Sequence, residues 1–285
     1  MKVNPVYRQE MRAGARSFRL PLILTLFNGT LGLVALLDMY AMVVRVRTTA
    51  EIRYSAFLSL FLFVAAVEFI LLLLIVPGLT AGSISGERER RTLDLLLTTR
   101  LTPKSLILGK LCACLSTVFF LILSSLPVFA LVFVYGGVEP KTILILFASY
   151  LVTAALTGSI GIFCSALFQR TTVATIASYA VVLLLTGGTL AAARFAASLR
   201  YLPVMGGNRG GPGGNGLLLL NPAVSFLQVL SGQTGSAGAL FAETFRTPGP
   251  PAAQSFSVSA WQGMVLQLLA AGLLLFLTER RLKKR

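Results

Sequence analysis

Six stretches almost free of charge run along the chain. Leu20–Val44 contains one charge, Asp38, and Ala56–Ala81 contains one, Glu68. Leu106–Tyr135 is interrupted only by Lys110, while Thr142–Phe168, Thr172–Ala193 and Ala260–Thr278 contain none. A helix needs about 20 apolar residues to cross the hydrocarbon core of a bilayer. The pattern therefore predicts an all-α integral membrane protein with six transmembrane helices, the third kinked at Pro127. The first run is too long for a signal peptide and lacks a small-residue cleavage site, so it reads as retained.

Composition agrees with that reading. Of 285 residues, 55% are apolar and 12% charged, against about 25% charged in soluble domains. So few charges exclude a disordered chain and argue against a soluble enzyme. The net charge of +15 would suggest nucleic acid in a soluble chain. Here the basic residues flank the spans, so no nucleic-acid partner is expected. Seventeen Lys and Arg lie on the side shared by both termini and the 2–3 and 4–5 loops, and eight on the other. This places both termini in the cytoplasm of a multi-pass protein of the cell membrane. The three cysteines form no CxxC pair and histidine is absent, so neither a metal site nor a cofactor site is expected in this chain.

The chain reads as one transmembrane domain over residues 1–285. Residues 1–19 place Arg8, Arg12, Arg16 and Arg19 at helical spacing beside Tyr7, Met11 and Phe18. That is an amphipathic helix resting on membrane lipid, basic face toward anionic headgroups, or a simple positive-inside anchor. Residues 20–193 hold spans one to five. Residues 194–259 form the outer loop, with seven glycines in positions 206–216 acting as a linker. Two short apolar pieces, Leu217–Leu220 and Val224–Leu230, follow around Asn221-Pro222. They are too short to span and suit re-entrant or interfacial helices. Residues 260–278 are the sixth span and 279–285 a basic tail.

Between spans two and three lies Ser83–Lys110, with Glu87, Arg88, Glu89, Arg90, Arg91 and Asp94 in its first half. Glu87 and Arg91 stand at i, i+4, the favourable order for a helical ion pair. Leu93, Leu96 and Leu97 add an apolar patch, and Thr102-Pro103 reads as an N-cap and first residue opening span three. Such a short amphipathic helix either docks in a groove on a cytosolic partner or is a solvated loop.

This segment resembles the signature of ABC-2 type transporter permeases, the membrane subunits of one class of ABC exporters. Ser83, Ile84, Ser85, Glu87, Arg88, Glu89, Thr92, Leu93, Leu96, Leu97, Thr99, Gly109 and Lys110 match that pattern. Arg91 stands where the pattern has Gly, Asp94 where it has Glu, and Arg100 where Pro is common. Asn221-Pro222 and the apolar run after it are also similar to the family's outer segment. The resemblance implies six transmembrane helices per subunit, working as a homodimer or with a related second permease. It implies that the 2–3 segment is a coupling helix on a cytosolic ABC ATPase dimer, and that the outer 5–6 segment dips back into the membrane. On that implication Glu87, Arg88 and Glu89 make salt bridges to the ATPase, while Thr92, Leu93, Leu96 and Leu97 belong to the same docking helix.

The chain itself carries no phosphate loop. The GxxxxGK pattern fails at Lys104, and Leu111 follows Lys110 where Ser or Thr is needed. ATP and Mg would therefore be bound by the partner, and this chain is not expected to be an enzyme. Glu68, alone at mid-span, is either a pathway residue or an interhelical hydrogen bond. A secondary transporter using Glu68 as an ion-coupling residue is the alternative reading. Asp38, near Arg45, fits an interfacial ion pair. The small and hydroxylic residues of spans three and four, Gly158 and Gly161 among them, suit close helix packing.

Overall fold

A computed structural model describes residues 5–49, 54–91, 103–135, 140–200, 216–234 and 260–283. All the regular elements among them are helices. They are α1 (Pro5–Arg16), α2 (Arg19–Thr49), α3 (Tyr54–Thr80), α4 (Ser85–Glu89), α5 (Pro103–Tyr135) and α6 (Pro140–Leu167). Then come α7 (Thr171–Leu183), a π-helical turn (Leu184–Gly188), α8 (Thr189–Arg200), α9 (Gly216–Leu219), α10 (Pro222–Thr234) and α11 (Ala260–Lys283). Six helical stretches are long and apolar enough to cross a membrane: Leu20–Ala41, Leu60–Glu89, Pro103–Ala130, Pro140–Leu167, Thr171–Ala193 and Trp261–Lys283. They coincide with the six charge-poor runs.

Helix α6 is the hub. It packs against α3, α5, α7, α10 and α11. Its buried hydroxyls are tolerated because they donate back to its own carbonyls: Thr157 Oγ1 to Thr153 O at 2.8 Å and Ser159 Oγ to Leu156 O at 2.7 Å. Small residues let α3 come close. A Cβ on Gly161 would overlap Thr80 Oγ1 and stand 2.9 Å from Thr80 Cβ. The sequence expectation that the small residues serve packing is met at this crossing.

The main apolar core joins α2, α3, α5, α6 and α10 through Phe27, Phe61, Leu72, Leu121, Tyr150 and Phe226. A second cluster closes the basic end of the bundle. There Val6 of α1, Ile84, Leu106 and Ile107 of α5, Ile162 and Ala166 of α6 and Leu282 of α11 meet. Helix α5 runs on through Pro127 and α3 through Pro77. Helix α10 has 13 residues, too few to span. It lies against α6 and α11, and Phe226 stacks on Phe69 at 4.3 Å and on Tyr150 at 5.9 Å between ring centroids.

Among the described residues of the 2–3 segment, the charged half is helical over Ser85–Glu89, and Pro103 opens the next helix. Arg91 then takes a left-handed backbone, φ 57°, so the helical spacing that would pair it with Glu87 is not made. The pairing of Asp38 with Arg45 lies outside the described residues, because the Arg45 side chain is among those not described. The same holds for Thr102 and for the glycine-rich run up to residue 215.

Candidate functional site

The short helix α4 is held by the bundle at nearly every residue. Its first turn exposes backbone N–H groups with no partner inside the helix. Ser165 of α6 accepts two of these donors, Ile84 N and Ser85 N, each at 2.9 Å. The Ser165 hydroxyl donates in turn to Ser85 Oγ at 3.2 Å, so its proton and both lone pairs are used.

The three charged residues of α4 point to three different helices. Glu87 Oε1 lies 2.8 Å from Lys110 Nζ on α5. Lys110 is itself buried and bonds Glu10 Oε1 on α1, also at 2.8 Å. One buried ammonium thus joins α1, α4 and α5, and two carboxylates offset its desolvation. Arg88 reaches the end of α6, where its Nη1 donates to Phe168 O at 3.2 Å and both nitrogens reach Ala166 O at 3.5 Å. A guanidinium there complements the carbonyl end of a helix.

Glu89 caps the next helix. Thr171 N donates to Oε1 at 3.0 Å and Thr171 Oγ1 to Oε2 at 2.9 Å. The N-cap residue of α7 is Arg170, which brings no side-chain cap of its own. A carboxylate from α4 supplies it and meets the positive end of the helix dipole. Beyond Glu89 the outward charges are Arg90, Arg91 and Arg170, all exposed.

Deep in the bundle, Glu68 is fully buried. Its Oε1 accepts from Ser125 Oγ on α5 at 2.8 Å. Its Oε2 has no hydrogen-bond partner among the described residues. Tyr150 of α6 donates to Ala65 O one turn away, at 2.8 Å. The Ser125–Glu68 bond joins α5 to α3, and the Tyr150–Ala65 bond joins α6 to α3.

At the opposite end Asn221 ties three elements together. Its Oδ1 accepts from Ala223 N at 2.8 Å, which caps α10, with Pro222 at the first helical position. Its Nδ2 donates to Thr186 O at 2.8 Å and to Thr189 Oγ1 at 2.6 Å. Thr186 lies in the π-helical turn, where the regular carbonyl pairing is broken. Below it Gln267 of α11 donates to Ser225 Oγ at 2.9 Å.

Of the residues singled out from sequence, Glu87, Arg88 and Glu89 are brought together on α4, and Glu68 stands apart in the core. Thr92, Leu93, Leu96 and Leu97 lie outside the described residues. Lys110, Ser165 and Thr171 were not foreseen as anchors. The signal for Lys110 was available, as one cation in an apolar run preceded by acids at Glu10 and Glu87. Ser165 and Thr171 gave none, because hydroxyls are common in transmembrane helices.

A family model described as ABC-2 family transporter protein matches residues 5–284. No curated protein matches the chain.

Proposed function

The chain belongs to the ABC-2 transporter family, and we propose that it is an exporter subunit worked by a separate cytosolic ATPase dimer. Membership makes it the membrane component, a permease, of an ABC transporter. In the proposed assembly two permease copies, identical or related, enclose the pathway in the cell membrane with both termini in the cytoplasm. ATP and Mg are bound by the partner. Nucleotide-driven closure of the ATPase shifts the permease between two states that the partner binds unequally.

The observation that carries the coupling role is the clamping of α4. Its contacts to Lys110, the end of α6 and Thr171 connect it to α1, α5, α6 and α7. A displacement of α4 therefore has rigid paths into four helices. These contacts support a reading in which other side chains meet the ATPase. Glu87 and Arg88 are spent inside the subunit, and Arg90, Arg91 and Arg170 are the charges left outward. The docking surface of the partner is on this reading acidic at that point, with the segment from Thr92 to Leu97 completing the contact. The outer helix α10 acts as the re-entrant element that closes the far side. Glu68 serves as an interhelical contact, since its bonded oxygen is held by Ser125 and it forms no ion pair among the described residues. Family membership supports the ABC permease over an ion-coupled carrier.

The test is purification of the tagged protein in mild detergent. A stoichiometric soluble polypeptide carrying GxxxxGK[ST] is expected. Its ATPase activity should lose its dependence on the permease when Arg90 and Arg91 are both changed to Glu. Glu89→Lys should preserve membrane insertion and partner binding but separate ATP hydrolysis from transport. A partner-free oligomer without ATPase activity overturns the reading.

A further inference from the structure

Helices α1 and α5 enclose an open groove of about 670 Å³ on the outside of the bundle, at its basic end. Its size lies in the range of about 300–1,000 Å³ common to small-molecule sites. Met11, Cys112, Phe119 and Phe120 give it an apolar wall, and Tyr7 and Ser116 share a 3.1 Å hydrogen bond across it. Phe119 and Phe120 are about half exposed. The groove is therefore an apolar surface that no other described helix covers.

The rim is charged. Arg8 and Arg12 stand at i, i+4 on α1, each one residue after a groove residue, Tyr7 or Met11, so they form the exposed face of α1 next to the groove without lining it. Both are exposed, and neither has an ion pair or hydrogen bond among the described residues. The one acid of α1, Glu10, is already bonded to Lys110. Two unneutralised guanidiniums on the face of α1 that adjoins an apolar trough match a ligand with a phosphate head and a hydrocarbon tail.

We propose that this groove binds one anionic phospholipid of the adjoining leaflet. An acyl chain lies along Cys112, Ser116 and Phe119, and the phosphate sits between Arg8 and Arg12. The bound lipid packs α1 against α5 beside the Lys110 node. The site is independent of the ATPase, so its test needs no partner and stands or falls separately from the transport reading.

Cys112 supplies the probe. It lines the groove and is exposed, whereas Cys114 and Cys164 are buried. The full chain in dodecyl maltoside micelles is treated with N-ethylmaleimide, with phosphatidylglycerol or phosphatidylcholine of the same chains added. Intact mass reports alkylation. Phosphatidylglycerol is expected to protect Cys112 at about thirtyfold lower concentration than phosphatidylcholine, from two basic contacts. In the Arg8→Ala, Arg12→Ala double variant that preference should vanish while the lipid-free rate stays unchanged. Equal protection by both lipids, protection by neither, or a preference that survives the double variant overturns the proposal. So does protection that follows protein concentration without lipid, which would assign the groove to a second copy of the chain.

Discussion

The close approach of α3 and α6 at Gly161 offers a sharp test of how the bundle is held. Changing Gly161 to Ala places a Cβ over Thr80 Oγ1, 2.9 Å from Thr80 Cβ and 3.4 Å from Ala81 N. Rotating Thr80 relieves the oxygen overlap but gives up its 2.9 Å bond to Val76 O. The Cβ–Cβ approach is not relieved by any rotamer, because both atoms are fixed to backbone. Carbon atoms rest at about 3.5–4.0 Å, so α3 and α6 must separate by roughly 0.8 Å. Overpacking of this kind costs about 1–3 kcal/mol. The better helix propensity of Ala returns up to about 1 kcal/mol. A net loss of about 1–2 kcal/mol is expected in an SDS unfolding titration in mixed micelles followed by circular dichroism. Thr80→Gly removes the opposing Cβ, so the double variant should recover at least about 1 kcal/mol relative to the sum of the two singles. Because Ser165 lies one turn beyond Gly161, the same separation loosens α4, and ATP-driven transport should fall with stability. An unchanged midpoint in Gly161→Ala, or a double variant that equals the sum of the singles, refutes this account of the crossing.

Two further outcomes follow from local geometry. Arg91 holds φ 57°, a conformation that costs a residue bearing a Cβ about 1–2 kcal/mol and glycine little. Arg91→Gly should therefore unfold later than Arg91→Ala, which loses the same charge but keeps the strain, and the reverse order in the same titration would contradict it. Asn221→Ala removes the α10 cap, worth about 1 kcal/mol, and leaves the Thr186 carbonyl unmet at a further cost of about 1–3 kcal/mol. Asn221→Ser, which keeps a capping oxygen but cannot reach Thr186, should fall between Ala and the parent when amide exchange of α10 is measured.

The spans were legible because a single physical rule governs them: twenty or so apolar residues without charge. Their ends were less so. The run at Ala56–Ala81 continues in the structure into α4 through Ser85, since Ser165 receives the backbone donors that water would otherwise take. No periodicity in the sequence marks that acceptor eighty residues away. Glu87, Arg88 and Glu89 were legible as a group, but their partners inside the subunit were not. Charges beside a membrane suggest an outside partner, yet each here answers an inside need: a buried ammonium, a helix end, a bare helix start. Arg91 shows the converse. The family pattern has glycine at that position, and the left-handed backbone supplies the reason, which the arginine alone concealed. Asn221-Pro222 announced a helix start from sequence, but the second function of the asparagine depends on a π-helical turn that Thr186 and the following glycines did not reveal.

The bonds that hold α4 are unequal, and the inequality sets an order on how a push there travels. Glu89 and Thr171 are joined at the surface, where water competes for both partners and screens the charge. Glu87 and Lys110 are joined where the ammonium is buried, so their attraction is less screened and the alternative is an unpaired charge in the interior. A displacement of α4 that breaks the first contact leaves the second intact. On the coupling reading, α5 and α1 move with α4 and α7 follows later. Lys110→Met should then cost about 2 kcal/mol of stability, below the 3–5 kcal/mol of a fully buried pair because Glu10 and Glu87 keep some access to water. It should also reduce transport per ATP hydrolysed far more than Glu89→Gln does. Measured in reconstituted vesicles, a larger loss in Glu89→Gln than in Lys110→Met would mean that force enters the bundle through α7 instead.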